Sequence, residues 1–430
     1  MLTVDFQNLF QTQAQDPKHG ISEEDFTSWE SKFESYKELV LSRKQGFLDL
    51  GNQPENLEKI SAYSKSVESK FTDIVILGIG GSMLGPLTIL EALNRTPKAN
   101  TPKVHCLDNI DPVLIQEITD KINLQKTLIL VQTKSGGTPE TLAQYFYFKD
   151  LLQKANLNLN EHFVFVTDPE NGYLKSVAIK EGIQTFDIPG NVGGRFSVLT
   201  PVGLLVSSLV GLDINKLLEG AKDAKEKFFD EGDFSAYKLA VTQSLLSMKG
   251  KNITVFMPYS SQLKTLANWY TQLLSESVGK KFNLTGKEVN TGVTPLPALG
   301  ATDQHSQLQL FQEGTHDKLV VFVEIEKFAS ELKIPSLWST EDNLDYLKNK
   351  TFNKLIQAEF EGTRSSLTES LRPNITIKLD QINEYTLGEL FMFLEISVAF
   401  LGEILNIDTY NQPGVERSKI LARQILSKAS

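Results

Sequence analysis

Two short stretches constrain this chain more than any others. Each is a run of apolar residues that breaks directly into glycines and hydroxyls. The first leads from Ile74-Val75-Ile76-Leu77 into Gly78-Ile79-Gly80-Gly81-Ser82, the second from Leu128-Ile129-Leu130-Val131 into Thr133-Lys134-Ser135-Gly136-Gly137-Thr138. Glycines let a backbone fold tightly around a ligand. Hydroxyls and free N–H groups at the start of a helix suit an anion, above all a phosphate. Neither loop carries the Gly-Lys-Ser/Thr ending of a nucleotide P-loop. In the first, Gly81-Ser82-Met83 follows Gly78-Ile79-Gly80, so the third glycine of a dinucleotide fingerprint is missing. The pair therefore reads as a grip for a phosphorylated small molecule.

A chain of 430 residues, at about 150 residues per domain, predicts two domains with extensions. Hydrophobic residues make up 40% and charged residues 22%, which describes an ordinary globular protein, and the net charge is −10. That balance argues against a nucleic-acid partner, which would need a basic stripe to neutralise phosphates. An acidic protein that binds an anion must concentrate its cations locally, which draws attention to Lys134, Arg195 and Lys419. The single cysteine, Cys106, excludes an internal disulfide and suits a reducing compartment. The start, Met1-Leu2-Thr3-Val4-Asp5, lacks the basic region of a signal peptide. The longest apolar stretch, 199–212, is short for a bilayer and broken by Ser207-Ser208. A cytoplasmic protein without a membrane partner is expected.

Residues 1–65 are polar and read as a helical N-terminal extension, with Ser22-Glu23-Glu24-Asp25 as a helix start. Apolar strands then alternate with helical segments. Strands are predicted at 73–78, 103–107, 127–132, 162–167 and 183–187, with a helix over 139–154. The alternation predicts an α/β fold, a parallel sheet with helices on both faces. Both glycine loops fall at carboxyl ends of strands, where open parallel sheets bind ligands. A helical region over 213–249 precedes a second series, with strands at 252–257, 319–325 and 374–379 and helices at 261–277, 303–313 and 386–402. The predicted organisation is an extension (1–65), a first α/β domain (66–212), a second (213–405) and a helical tail (406–430). In the tail a helix is expected over 411–427, capped by Asn411, with Val415, Ala422 and Leu426 along one face.

Four residues outside the loops stand out chemically. Arg195, in Gly193-Gly194-Arg195-Phe196-Ser197, precedes a helix start at Thr200-Pro201. A permanent cation there suits negative charge developing on oxygens, although the same motif also reads as a surface arginine after a turn. Glu276 closes a helix whose apolar face is Leu263, Leu266, Trp269, Tyr270, Leu273 and Leu274. It lies near that face, where a carboxylate can be a general base or a solvated helix-end residue. His305, in Asp303-Gln304-His305, is one of five histidines. Held by neighbours it can pass protons, or it bonds to backbone and does nothing more. Lys419 interrupts the apolar stripe of the tail, and either snorkels to solvent or reaches into a cleft. No group of histidine, cysteine and carboxylate has metal-ligand spacing, so no metal is expected.

Taken in order, six segments resemble the glucose-6-phosphate isomerase (phosphoglucose isomerase) family in its shorter bacterial form. They are Ile79-Gly80-Gly81-Ser82, Thr133 through Thr141, Gly193 through Pro201, Ser275-Glu276-Ser277-Val278-Gly279-Lys280, Asp303-Gln304-His305, and Tyr410 through Lys419. The resemblance implies two sugar-isomerase (SIS) domains, each a parallel sheet flanked by helices, with no cofactor. It implies a homodimer with shared active sites that interconverts glucose 6-phosphate and fructose 6-phosphate. Carried over by position, the phosphate cradle falls on Gly81, Ser82, Thr133, Lys134, Ser135 and Thr138, and a sugar contact on Gln412. The base falls on Glu276 and the charge stabiliser on Arg195. The ring-opening pair falls on His305 and Lys419, with Glu140 pairing the histidine, which in the family arrives from the neighbouring subunit.

Gly190, Met83 and Asn411 depart from residues common in the family at these places, and none carries a chemical step. Other readings of the same residues are an isomerase for a different phosphosugar, such as mannose 6-phosphate, and a silent sugar-phosphate sensor. A sensor predicts a missing base or cation, whereas Glu276, Arg195, His305 and Lys419 are all present.

Overall fold

The computed structural model describes residues 1–10, 19–95, 101–339 and 342–428. Its strands are β1 (Leu2–Asp5), β2 (Asp73–Leu77), β3 (Lys103–Leu107), β4 (Thr127–Thr133), β5 (Phe163–Thr167), β6 (Gln184–Asp187), β7 (Ile253–Pro258), β8 (Lys280–Phe282), β9 (Glu288–Thr291), β10 (Thr294–Pro297), β11 (Lys318–Ile325) and β12 (Asn374–Leu379).

The first sheet has the order β3-β2-β4-β5-β6 and is parallel throughout. The chain leaves β2 toward β3 on one side and resumes at β4 on the other. The crevice between the carboxyl ends of β2 and β4 is therefore the switch point at which open α/β sheets take ligands. Both glycine loops flank it, because Leu77 and Val131 are register partners. The second sheet has the order β1-β12-β11-β7-β10, parallel except for β1. Its own switch point lies between β7 and β11.

The apolar runs are continuous because both faces of these strands are covered. In the first sheet Ile74, Ile76, Leu128 and Leu130 face one way, and Val75, Leu77, Ile129 and Val131 face the other. The first set joins a single buried cluster that also holds Val321, Val323, Ile375 and Ile377 of the second sheet. Helices fill the space between. Gly81–Leu93 packs against Lys264–Val278 and Pro201–Leu209, and Glu384–Ile404 packs against Ile214–Phe229 and Ser235–Met248. The helix Glu384–Ile404 is buried from Thr386 to Glu403, apolar residues standing on every side although Glu389, Glu395 and Glu403 are buried with them.

Most predicted elements appear within about two residues, the usual scatter of helix and strand ends. Several expectations are corrected. The N-terminal extension is not purely helical: Leu2–Asp5 pairs antiparallel with β12 as an edge strand. The 213–249 region is helical as expected, in two helices, Ile214–Phe229 and Ser235–Met248. The predicted helix over 303–313 is a 3₁₀ turn, Thr302–His305, followed by Leu308–Glu313. Thr294–Pro297, which is not among the predicted strands, lies beside β7 at the edge of the sheet. Asn411 caps no helix; its amide donates to Asp408 at 2.6 Å, and the tail helix begins at Glu416. No residue of that helix is buried in the chain, so its apolar stripe covers nothing here. Among the described residues no helix is long and apolar enough to cross a membrane, and no group of side chains could hold a metal ion.

Candidate active site

The first loop turns at Gly80, whose φ of +57° opens the helix Gly81–Leu93. Gly81 is required for contact: a Cβ there would stand 2.2 Å from the Gly194 carbonyl oxygen and 2.8 Å from the Arg195 nitrogen. The glycine thus lets the phosphate-type loop lie directly on the Gly-Gly-Arg turn. Ser82 follows in the first turn of the helix. Pro86 has no N–H to give the Ser82 carbonyl. The buried Gln132 amide, oriented to donate, lies 3.2 Å from that oxygen and 3.1 Å from the Val202 carbonyl.

The second loop gathers three hydroxyls. Thr133 Oγ1 lies 2.6 Å from Thr138 Oγ1, and Ser135 Oγ stands 3.4 Å from each. Thr138 is the cap residue of the helix Pro139–Lys154, yet its hydroxyl makes no capping bond. The first N–H groups of that helix and the hydroxyl cluster therefore share one small space, the setting in which a helix end holds an anion. Glu140 stands in the first turn of the same helix. The Lys134 side chain points away from the hydroxyls. Its ammonium donates to the carbonyls of Gly190 (3.0 Å) and Val192 (2.6 Å), tying the loop to the next turn instead of joining the hydroxyls. Desolvation lowers its pKa, against the pull of Asp168.

Arg195 is the centre of a third group and is only 3% exposed. Its Nε donates to Ser277 Oγ at 2.8 Å. Nη1 donates to Glu276 Oε2 at 3.2 Å and to Gln412 Oε1 at 3.1 Å. Nη2 donates to the carbonyls of Thr409 and Asn411. This planar fork fixes one cation against one carboxylate in a way an ammonium could not. Burial lowers the pKa of Arg195 and Glu276 opposes the shift. The other oxygen of Glu276 accepts from Gln272 Nε2 at 3.0 Å, one helical turn earlier. The Glu276 side chain is 33% exposed, so it remains open to a ligand.

The sequence singles out Arg195, Glu276 and Gln412, and they meet here. It does not single out Gln272, Ser277 and Lys280. The spacing of Gln272 from Glu276, four residues along one helix face, is the available signal. His305 and Lys419 do not join the group in this chain. His305 is exposed and lines an apolar groove of about 470 Å³ with Gln262, Ala301, Phe328, Leu332 and Phe352. That groove lies at the carboxyl ends of β7, β10 and β11. Lys419 is exposed on the tail helix and pairs with Glu416 at 2.8 Å.

A carboxylate held by a buried guanidinium, with a hydroxyl-lined loop at the switch point of the first sheet, is an arrangement that can take an anionic small molecule. Residues 57–430 match the model of the phosphoglucose isomerase family, and the chain belongs to that family. It is 41% identical to the glucose-6-phosphate isomerase of Carboxydothermus hydrogenoformans, covering 99% of this chain and 95% of that protein. The fold is similar to that of a hypothetical protein of Thermus thermophilus, with a TM-score of 0.89 and 34% identity over 99% of this chain and 100% of that one. It is also similar in fold to a glucose-6-phosphate isomerase of Chlamydia trachomatis. There the TM-score is 0.86 at 21% identity, covering 100% of this chain and 89% of that one.

Proposed function

We propose that this chain interconverts glucose 6-phosphate and fructose 6-phosphate, with the proton moved by Glu276. The observation that carries the reading is the Glu276 carboxylate, hydrogen-bonded to the buried Arg195 and still open to a ligand. Moving a carbonyl between C1 and C2 needs a carbon-bound proton removed from one carbon and returned to the other. Glu276 takes the proton from C2 of the open aldose, giving an enediolate; the hydroxyl proton of O2 passes to O1; and Glu276 returns its proton to C1, leaving the C2 carbonyl of the ketose, while the reverse reaction retraces the path. One carboxylate suffices if it stays protonated between the steps. Arg195 holds the negative charge that builds on the two oxygens of the enediolate. A preset guanidinium does this without reorganising, and Gln412 and Gln272 orient both partners.

The hydroxyls of Thr133, Ser135 and Thr138, with the backbone at Gly81 and Ser82, take the phosphate. Binding that remote group holds the reacting carbons beside Glu276. The cyclic sugar must open first. His305 and Lys419 are the acid–base pair assigned to that step, with Glu140 orienting the histidine. His305 stands away from the Arg195 group of its own chain, which supports a two-fold dimer in which each site borrows the neighbour's His305. The half-buried Cys106, whose thiol burial pushes up to about 12, suits a cytoplasmic enzyme.

The test is a coupled assay of glucose 6-phosphate formed from fructose 6-phosphate, run on the wild type and on mixed subunits. Glu276→Gln and His305→Ala homodimers should each be inactive, and exchange between them should restore one intact site per heterodimer. An inactive wild type would refute the isomerase reading. Verified heterodimers without activity would put His305 and Glu276 in the same subunit's site.

A further inference from the structure

Lys280 is unused by the mechanism above, yet only 7% of it is exposed. It stands two residues past the helix Lys264–Val278, at the start of β8. Its ammonium donates to the Glu276 carbonyl, one of the last four of that helix, and to the Asn411 carbonyl at 2.8 Å. The last carbonyls of a helix have no partner inside it, and a lysine just beyond the end is a natural donor to them. What is unusual is the second acceptor. Asn411 is 131 residues away in sequence. It directly precedes Gln412, which touches Arg195, and the segment that carries Lys419. Arg195 donates to the same Asn411 carbonyl at 3.3 Å. Two buried cations therefore hold one stretch of backbone, and both also hold the end of the helix that bears Glu276, Arg195 through side chains and Lys280 through the Glu276 carbonyl.

We propose that Lys280 is a positioning residue for the isomerisation: its ammonium locks the 409–412 segment onto the end of the Glu276 helix, so that Glu276 and Gln412 keep a fixed relation to Arg195. This rests on the isomerase reading of the same site. It makes a charge outside the reacting groups necessary for alignment. Desolvation lowers the pKa of Lys280 to about 8, with the Arg195 guanidinium adding to the fall and Asp408 and Glu276 opposing it. The lock therefore weakens as pH rises through that value, and the activity should carry an alkaline limb that belongs to Lys280. A misplacement of about 1 Å at reacting groups can cost as much as about 10²-fold, so the effect should fall on kcat and spare phosphate binding.

The experiment compares wild type, Lys280→Met and Lys280→Arg. The wild-type rate on fructose 6-phosphate decides the isomerase reading by itself. Lys280→Met should lose at least about tenfold in kcat, with KM changed by less than about threefold, and should lose the limb near pH 8. Lys280→Arg, a cation that does not titrate in this range, should restore most of kcat and also lack the limb. A readout without turnover accompanies these: amide hydrogen exchange in 409–412 at neutral pH should accelerate in Lys280→Met and return toward wild type in Lys280→Arg. Exchange and alkaline limb unchanged in Lys280→Met would overturn the inference, whatever the wild-type rate.

Discussion

Replacing Glu276 by glutamine separates chemistry from architecture more cleanly than any other single change in this site. Glu276 Oε1 accepts from Gln272 at 3.0 Å and Oε2 accepts from Arg195 at 3.2 Å. The amide has the same shape, and its oxygen can still accept from Arg195. Its nitrogen then faces Gln272, whose own amide can turn to offer oxygen, so neither hydrogen bond need be lost. What disappears is a charge pair with Arg195. The carboxylate is a third exposed but the guanidinium is buried, so the loss lies between the about 1 kcal/mol of a screened pair and the about 3–5 kcal/mol of a buried charge left without its partner. In a chain of this length such a loss should lower Tm by at most about 8 °C.

The catalytic loss should be far larger. A positioned acid–base group contributes about 10²–10⁴-fold, and here one carboxylate has to serve both proton transfers. A fall in kcat of at least about 10³-fold is expected, equivalent to about 4 kcal/mol at the barrier. KM and inhibition by phosphorylated sugar acids should change little. The coupled assay with fructose 6-phosphate reads the first quantity and a thermal melt the second. Turnover within about tenfold of wild type, in a variant with unaltered Tm, would remove Glu276 from the proton transfer. A drop in Tm beyond that range would instead show that the carboxylate is a structural element of the Arg195 group.

Three further outcomes are expected. Gly81→Ala forces a methyl against backbone atoms at Gly194 and Arg195, so the Arg195 turn must shift; a loss of about 1–3 kcal/mol in stability and of more than about tenfold in kcat/KM should appear together in melts and rates. Ser135→Ala and Thr138→Ala should each weaken inhibition by phosphorylated sugar acids about tenfold, the scale of one hydrogen bond to a charged group, while unphosphorylated analogues bind as before. Glu395 is fully buried in the helix Glu384–Ile404, neither oxygen has a partner, and burial raises its pKa well above the usual carboxylate range. The folded chain thus keeps a proton that the unfolded chain releases, so stability falls as pH rises above about 4.5. Glu395→Gln should therefore melt progressively higher than wild type between about pH 5 and pH 8, and a gap that stays constant with pH would contradict this.

What the sequence makes legible follows from which interactions are local. β4 is readable because both its faces are covered, so Leu128 to Val131 are apolar without interruption. The helix Pro139–Lys154 announces itself by a proline in its first turn. β1 is not readable: four residues on a sheet edge make little pattern, and their partner β12 lies far along the chain. β10 reads as a connection because Thr294-Pro295-Leu296-Pro297 contains two prolines, and only an edge position tolerates them.

The same division runs through the site. The hydroxyl loop is local, and its three hydroxyls meet between Thr133 and Thr138. The Arg195 group is not local, because it joins Gly81, Arg195, the helix end at 276–277 and the segment 409–412. Sequence can nominate Arg195, Glu276 and Gln412 separately. It cannot show that the buried Arg195 guanidinium binds both the 276–277 and the 409–412 regions, nor that Lys134 turns to the carbonyls of Gly190 and Val192. Those facts depend on how helices packed between the two sheets bring distant segments together. His305 and Lys419 extend the argument to the next level. Each stands apart from the Arg195 group of its own chain, His305 in an apolar groove and Lys419 on a helix that covers nothing here. How either relates to the Arg195 group is written neither in local pattern nor in the packing of this single chain.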